Sequence, residues 1–573
     1  MLKLRWRTKG QVMAIEALVR RLVMAVVLGF AGTSAMVGDA RAGHDELTIG
    51  ISQFPSSLHP YIEAEDVKLY VLGFVTPRVT GYGEGAKLSC ILCTQVPTVQ
   101  NGLAKIEDRA DGQKGMAVTL ELKPGLKWGD GEPVTTKDIA FTARVAADAK
   151  SGFSLPKGWA KIDKVEIVDD RKAIIHLNSL YVSYNEWAQL LPEHVEGPAY
   201  EKTAGTGGYN KESVFNRAPT TAGLYDGPYL IKDYQSGAQI ILEPNPFWNG
   251  TKPQFKRIIV KFIGNTAALE ANLLSGDVDM VAEGGIGLTV DQALELRKKY
   301  PDRFTYMFLP NLFMEHIELS HDNPMLQDLR IREALVYAAD RKTLTEKLFE
   351  NMLPVAASFV PPSHANAAKD LPPLPYDPAK AKALLAEAGF TPGPDGICRN
   401  AKGERLSFEF TTTAGNRVRE LEQQVLQSNW KSACIEVTIK NEPARTMFGE
   451  TLKKRKFTGM VMFASGLEMT ESPRNGYTTS GIPTEANGYG GSNYSGISIP
   501  RLDELTDQAE KEFDPEKQKA LWAEMQKIYA TQLPQIPIYF RADAHVVPKW
   551  LKGYTPSGIG DATSNWSFEW RAE

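Results

Sequence analysis

A chain of 573 residues with 43% apolar composition holds enough hydrophobic mass for more than one core, and domains of roughly 100–250 residues put two or three lobes in it, which excludes a single small module. Its 65 Lys and Arg stand against 69 Asp and Glu. Residues 1–42 carry 7 of the basic and 2 of the acidic groups, so the remainder holds 58 against 67, a balance of −9 that disfavours a nucleic-acid partner.

In chain order, the basic stretch VRRLVMAVVLGF leads into small residues and ARAG, where Ala40 and Ala42 form an A-x-A site. This predicts a cleavable export signal over residues 1–42, cut before Gly43, with Met13 as an alternative start. The apolar run from Leu22 to Ala31 is shorter than the ~20 residues that span a bilayer. No cysteine follows the signal to carry a lipid anchor, and Arg20-Arg21 is a weak twin-arginine cue. A periplasmic, soluble mature protein is expected.

The segment ELTIGISQF alternates as a strand and ends in the Pro-bounded PSSLHPY. MAVTLELKPG sets Val118, Leu120 and Leu122 against Thr119, Glu121 and Lys123, and KVEIVDDRKAIIHL reads as two strands around Asp169-Asp170. The Gly-rich stretch between Tyr200 and Tyr225 and the Pro-rich stretch from Phe359 read as surface connections. IREALVYAADRKTLTEKLF predicts two helices split at Asp340. Further on, Asp377-Pro378 and Asp514-Pro515 supply a helix N-cap followed by proline at the first helical position. After Asp514, the residues Leu521, Met525, Ile528 and Tyr529 share one face at helical spacing, a core-facing stripe. No repeat of 20–50 residues is present.

The stretch LKPGLKWGDGEPVTTKDIAFT gathers Asp130, Glu132 and Asp138 around two glycines. Pro133 and Val134 break the alternating oxygen ligands of a calcium loop. As a turn into a helix it uses every residue: Gly129 and Gly131 supply positive φ, Asp130 bonds the local backbone, and Thr135 or Thr136 caps a helix with Asp138 at its positive end. There is no G-x-S-x-G, H-E-x-x-H, P-loop or G-x-G-x-x-G, and the eight histidines, among them His44, His59 and His176, are scattered. No nucleophile, base and orienter stand out as a trio, so no catalytic residue is assigned.

The four cysteines, Cys90, Cys93, Cys398 and Cys434, are expected to pair outside the cytoplasm. Three pairings are possible, with the nearest-neighbour one preferred. A zinc or redox role needs partners that no second C-x-x-C or H-x-x-H supplies. Aromatic residues make up 9% of the chain, many in loop-like segments such as SGFSLPKGW, NPFWNG and NGYGGSNYSG. Rigid aromatics suit the wall of an enclosed site.

Six segments in order resemble the family 5 extracellular solute-binding proteins, the oligopeptide- and dipeptide-binding receptors of ABC importers. LKWGDGEPVTTKDIAFT is similar to the family's W-x-D-G-x-P-x-T-x-x-D turn and helix through Trp128, Asp130, Gly131, Pro133, Thr135 and Asp138. GPYLIKDYQSGAQIILEPNPFW resembles its G-P-Y strand pair ending at Asn245, Pro246 and Trp248. LLSGDVDM, LQDLRIREALVYAADR, DPAKAKALLAEAGF and LPQIPIYF follow.

The resemblance implies an α/β, bilobed periplasmic-binding-protein-like fold (class II, cluster C) with an extra inserted domain. Domain I would comprise residues 43–79, 212–310 and 541–573, domain II residues 80–211, and domain III residues 311–540, with two connecting segments as hinges. Such a receptor is a monomer without catalytic step, cofactor or required metal, and closes on a peptide for the permease subunits of the inner membrane. A sugar, opine, nickel chelate or other small solute is the alternative within the fold, and a secreted hydrolase the alternative outside it. The family's peptide receptors place an aspartate after a tryptophan in domain III to pair with the peptide α-amine. Here MFASGLEMTESPRN has Phe463 and, as nearby acids, Glu468 and Glu471. Glu468 is thus the implied amine partner, Phe463, Tyr539 and Phe540 the implied cleft wall, and Phe153 and Trp159 further candidates.

Overall fold

A computed structural model describes residues 44–63, 65–153, 157–467, 469, 472–559 and 561–573. The expected signal segment 1–42 and the acids Glu468 and Glu471 lie outside the described residues. From Asp45 to Glu573 the chain forms one compact unit.

Three sheets organise that unit. The first has five strands in the order Met280–Val281, Glu46–Ile51, Arg257–Phe262, Gln239–Pro244 and Tyr229–Gln235. Glu46–Ile51 lies parallel to Arg257–Phe262, with Leu47 opposite Ile258. Its alternation buries Leu47, Ile49 and Ile51 completely, the period-2 pattern that the sequence shows. The second sheet is antiparallel, in the order Ala104–Asp108, Lys114–Glu121, Lys172–Leu177 and Ile162–Ile167, and its two last strands flank the Asp169-Asp170 turn as expected. The third holds Glu436–Ile439, Ser407–Thr411, Met460–Gly466, Phe304–Leu319 and Gln535–Pro548.

The two long strands of the third sheet matter most for function. Phe304–Leu319 and Gln535–Pro548 run antiparallel, and their register slips between Pro310, opposite Ala542, and Met314, opposite Phe540. On one side of the slip Phe304, Ala544 and Val546 pack with Leu269 and Leu273. On the other, Ile317, Ile536 and Ile538 join Phe408, Phe410 and Trp430 in a separate core. The strand pair therefore passes from one core to another, and the slip is where its ladder of hydrogen bonds is interrupted.

Local signals for helices are met at their caps. Asp340 accepts from Thr343 N at the break between Leu329–Tyr337 and Arg341–Phe349. Asp377 accepts from Lys380 N, and Asp514 from Glu516 N and Lys517 N. In the Trp128 loop, Thr135 and Asp138 form a reciprocal capping box at the start of Thr136–Ala147, and Glu132 N donates to Asp130 Oδ1 at 3.2 Å. Gly131 takes φ +95°, whereas Gly129, contrary to expectation, keeps an ordinary φ. Gly129 is needed for space, since a Cβ there would lie 2.4 Å from Leu230 Cδ2 and 2.6 Å from Ala222 O.

Two supposed surface connections are also partly core. Between Tyr200 and Tyr225, Tyr209 and Phe215 are buried, because the carboxylate of buried Glu196 collects Tyr209 OH, Val214 N and Phe215 N. In the Pro-rich stretch Phe359 and Val360 are buried against Trp522 and Tyr529. Apolar anchors inside polar segments produced both differences. The disulfides join Cys90 to Cys93 and Cys398 to Cys434.

Candidate functional site

A cavity of about 590 Å³ lies where the two long strands cross between the cores, within the ~300–1,000 Å³ range of small-ligand sites. Leu288 and Ala544 reach it from the first core and Phe349 and Tyr539 from the second. Strand alternation sets its chemistry: along QIPIYFRAD, Tyr539, Arg541 and Asp543 share one face, and all three line the cavity.

On the second-core side a carboxylate is clamped by cations. Glu315 is fully buried and accepts from Arg419 Nε at 2.7 Å and from Arg541 Nη2 and Nε at 2.6 and 2.9 Å. Burial alone would raise its pKa, but the Arg541 and then the Arg419 guanidinium hold it below the usual carboxylate range. Beside it Tyr539 OH donates to Glu422 Oε1 at 2.6 Å. Glu422 has no cation of its own in contact. Burial first, and then the Glu315 charge, push it above the usual carboxylate range. Two guanidinium groups thus converge on the Glu315 carboxylate on this side.

The first-core side is the reverse. Asp66, Glu283, Asp543 and Asp561 line it, and the hydrogen bonds that reach three of them come from neutral donors. Asn311 Nδ2 donates to Asp543 at 3.0 Å, Thr563 N and Tyr554 OH donate to Glu283 at 2.9 and 3.2 Å, and Tyr82 N donates to Asp561 at 3.1 Å. Burial pushes Glu283 up to about 7 and Asp543 to about 6. A neighbouring carboxylate contributes to each rise, Asp543 for Glu283 and Asp66 for Asp543.

Of the residues singled out from sequence, Tyr539 lines this cavity, and the other described aromatics are placed elsewhere. Phe540 points to the opposite face of its strand and packs with Met314, Phe359 and Tyr529. Phe463 is 5% exposed, its ring 4.4 Å from that of His316. Trp159 is 3% exposed and packs against Trp187. Phe153 is half-buried and stacks on Tyr61 with ring centroids 4.8 Å apart. Large apolar rings gained more by filling these cores than by facing a polar cleft. Glu468 lies outside the described residues.

Sequence reasoning missed Glu315, Arg419, Arg541, Glu283 and Asp543. The period-2 rule applied from Tyr539 could have found Arg541 and Asp543. Nothing local marks Glu315 or Arg419, which are 104 residues apart.

A second concavity of about 600 Å³ lies by the helices Pro500–Ala509 and Pro515–Gln532, lined by Asp507, Lys511, Glu512 and Lys517 with Leu521. It is an open groove on one core and lacks the desolvated charges of the cleft.

The sequence profile of the bacterial extracellular solute-binding proteins, family 5 Middle, matches residues 98–488. Protein XP55 of Streptomyces lividans is 25% identical over 511 residues, 88% of this chain and 86% of that protein. The oligopeptide-binding protein of Thermus thermophilus, solved with a pentapeptide, is 30% identical with a TM-score of 0.67, covering 92% of this chain and 96% of that one. NikZ of Campylobacter jejuni, solved with Ni(L-His), shares the fold at 21% identity and a TM-score of 0.69, over 92% of this chain and 99% of that one. With the profile spanning most of its length and an α/β bilobed architecture shared over 92% of it, the chain belongs to the bacterial extracellular solute-binding proteins of family 5.

Proposed function

We propose that this protein is the periplasmic receptor of an ABC importer, that it takes a short peptide into the cavity between its two cores, and that it presents the closed complex to the membrane permease without breaking a bond. The observation that carries this is the cavity itself, lined from both cores beside the only strand pair described above that passes between them. A ligand held there touches Tyr539 and Arg541 on one side and the residues around Glu283 on the other, so it gains contacts that exist only when the lobes are shut. That difference drives closure: moving a population from 1:99 to 99:1 needs about 5.5 kcal/mol of preference for the closed form.

The slip at Pro310/Met314 supports a hinge there, and with it the domain limits at residues 310/311 and 540/541. Residues 80–211 contain the whole four-stranded sheet, in keeping with an inserted domain. An extended peptide offers alternating N–H and C=O groups and charged ends, which suits a cleft carrying both signs of charge. Export to the periplasm rests on the signal-like segment, and the paired cysteines suit that compartment.

The test is mass spectrometry of what copurifies with the protein, joined to solution scattering with and without the recovered molecule. Peptides in the cleft and a more compact loaded form are expected. A sugar or a metal chelate in their place would overturn the peptide reading, and an unchanged scattering curve would overturn closure.

A further inference from the structure

The acidic side of the cavity carries a chemistry that selects among ligands. Asp66, Glu283, Asp543 and Asp561 come from four separate stretches of chain and meet on one wall. None of the arginines that line the cavity makes an ion pair with them among the described residues: Arg419 and Arg541 are engaged by Glu315, and Arg78 Nε donates to Thr80 O at 3.3 Å. The same wall holds two more polar groups whose hydrogen-bonding capacity is unmet. Tyr70 and Asn565 both line it and are 1% and 3% exposed, yet Tyr70 Oη and Asn565 Oδ1 have no hydrogen-bond partner among the described residues. Buried polar atoms left in this state cost free energy until a ligand or water meets them.

We propose that this wall, formed by Asp66, Tyr70, Glu283, Asp543, Asp561 and Asn565, binds a cationic nitrogen of the ligand, an ammonium or a guanidinium, and so makes the protein selective for ligands that place a cation there. The inference rests on the cavity being the ligand site, as proposed above. An ammonium brings three N–H donors and a guanidinium five, with no acceptor on either, and the wall offers carboxylate oxygens together with unmet acceptors. Enclosing such a cation without counter-charge is prohibitive, so a wall of this sign favours it and disfavours an anion in the same place. A bare metal ion fits less well. Among the described residues no three His, Cys, Asp or Glu side chains come together at metal-binding spacing, so the charge is spread over a surface suited to a larger organic cation.

The nitrogen has two possible sources, the α-amine of the peptide or a Lys or Arg side chain, and one experiment separates them. A synthetic tripeptide pool built from Ala, Gln, Glu, Lys and Arg, and the same pool N-acetylated, are each offered to the full chain, and the retained peptides are identified by mass spectrometry. The same is done with Asp543→Asn and, because Asp543 is half-buried, with Asp66→Asn at an exposed position. At least tenfold enrichment of Lys and Arg peptides from the acetylated pool assigns the side chain. Retention from the free pool alone assigns the α-amine. In either case both variants are expected to weaken retention, Asp543→Asn by tenfold or more, while melting as cooperatively as the parent. Peptides retained from both pools with no charge preference, or a preference that both variants keep, overturn the proposal and leave the receptor reading standing. Retention of no peptide from either pool overturns the peptide reading and this proposal with it.

Discussion

The two sides of the cavity use the same carboxyl group to opposite ends. Glu315, with Arg419 and Arg541 in contact, stays ionised although it is fully buried. Glu283 and Asp543, with amide, hydroxyl and backbone donors in their place, are driven toward the neutral acid. Neutral hydrogen bonds lower the cost of a buried charge but do not cancel it, whereas a bidentate guanidinium does both. The first arrangement is complete in itself and holds the strands Phe304–Leu319 and Gln535–Pro548 to the helix Arg417–Ser432. The second is left short of positive charge.

Breaking the complete side is expected to do the most damage. Arg419→Ala removes one of two cations from a fully buried carboxylate, and disrupting a buried pair costs about 3–5 kcal/mol. Urea denaturation of the empty protein measures it. A loss below about 1 kcal/mol would mean that water reaches Glu315, and the contrast between the walls would weaken accordingly.

Completing the other side is expected to stabilise the molecule. At 100 times its Kd, the ligand adds about 2.7 kcal/mol by mass action, seen as a raised melting temperature with the ligand recovered unaltered. Accumulation of a cleavage product in the same sample would count against a pure receptor.

The acidic wall then fixes how binding depends on pH. In the empty protein, Glu283 titrates at about 7 and Asp543 at about 6, facing Asp66, Tyr554, Asn311, Thr563 and, from the other wall, Arg541. Both folded-state values lie above the ordinary carboxylate range, so these groups favour the empty folded protein at low pH and cease to do so as pH rises through about 7. A cation binds the ionised forms and displaces their protons, which reverses the sign for the complex. Affinity for a cationic peptide is therefore expected to fall at least tenfold from pH 8 to pH 5, a change of about 1.4 kcal/mol, and calorimetry at the two values measures it. Because the comparison is between loaded and empty protein, titrations remote from the cavity cancel.

How far the sequence foretold this depends on the range of the interaction. Caps and turns were legible because Asp340, Asp377, Asp514 and Thr135 act within three residues of themselves, and the family's motifs are made of such local pieces. The strand QIPIYFRAD was legible as a strand, but the ring at Phe540 drew attention from Arg541 next to it, although alternation puts Tyr539 with Arg541 and turns Phe540 into the core. Glu315 was beyond reach: its partners lie 104 and 226 residues away, and only the folded strand pair brings them together. The aromatics Phe463 and Trp159 misled for a thermodynamic reason, since a large ring near a cleft is buried beneath it more profitably than displayed in it.

The smallest effect offers a control on the whole comparison. Asp138, in the Trp128 loop, is a third buried carboxylate held by neutral donors, namely Thr135 N at 2.8 Å, Glu193 N at 2.9 Å and Trp128 Nε1 at 3.4 Å. Burial pushes it up to about 6, much like Asp543. It serves a helix start and does not line the cavity. Thr135→Ala removes the hydroxyl half of its capping box and is expected to cost about 1 kcal/mol in stability. The ligand-induced rise in melting temperature and its pH dependence should be the same as in the parent protein. If Thr135→Ala altered that pH dependence, raised carboxylates throughout the fold would be contributing to it, and the signal could no longer be assigned to the wall around Glu283 and Asp543.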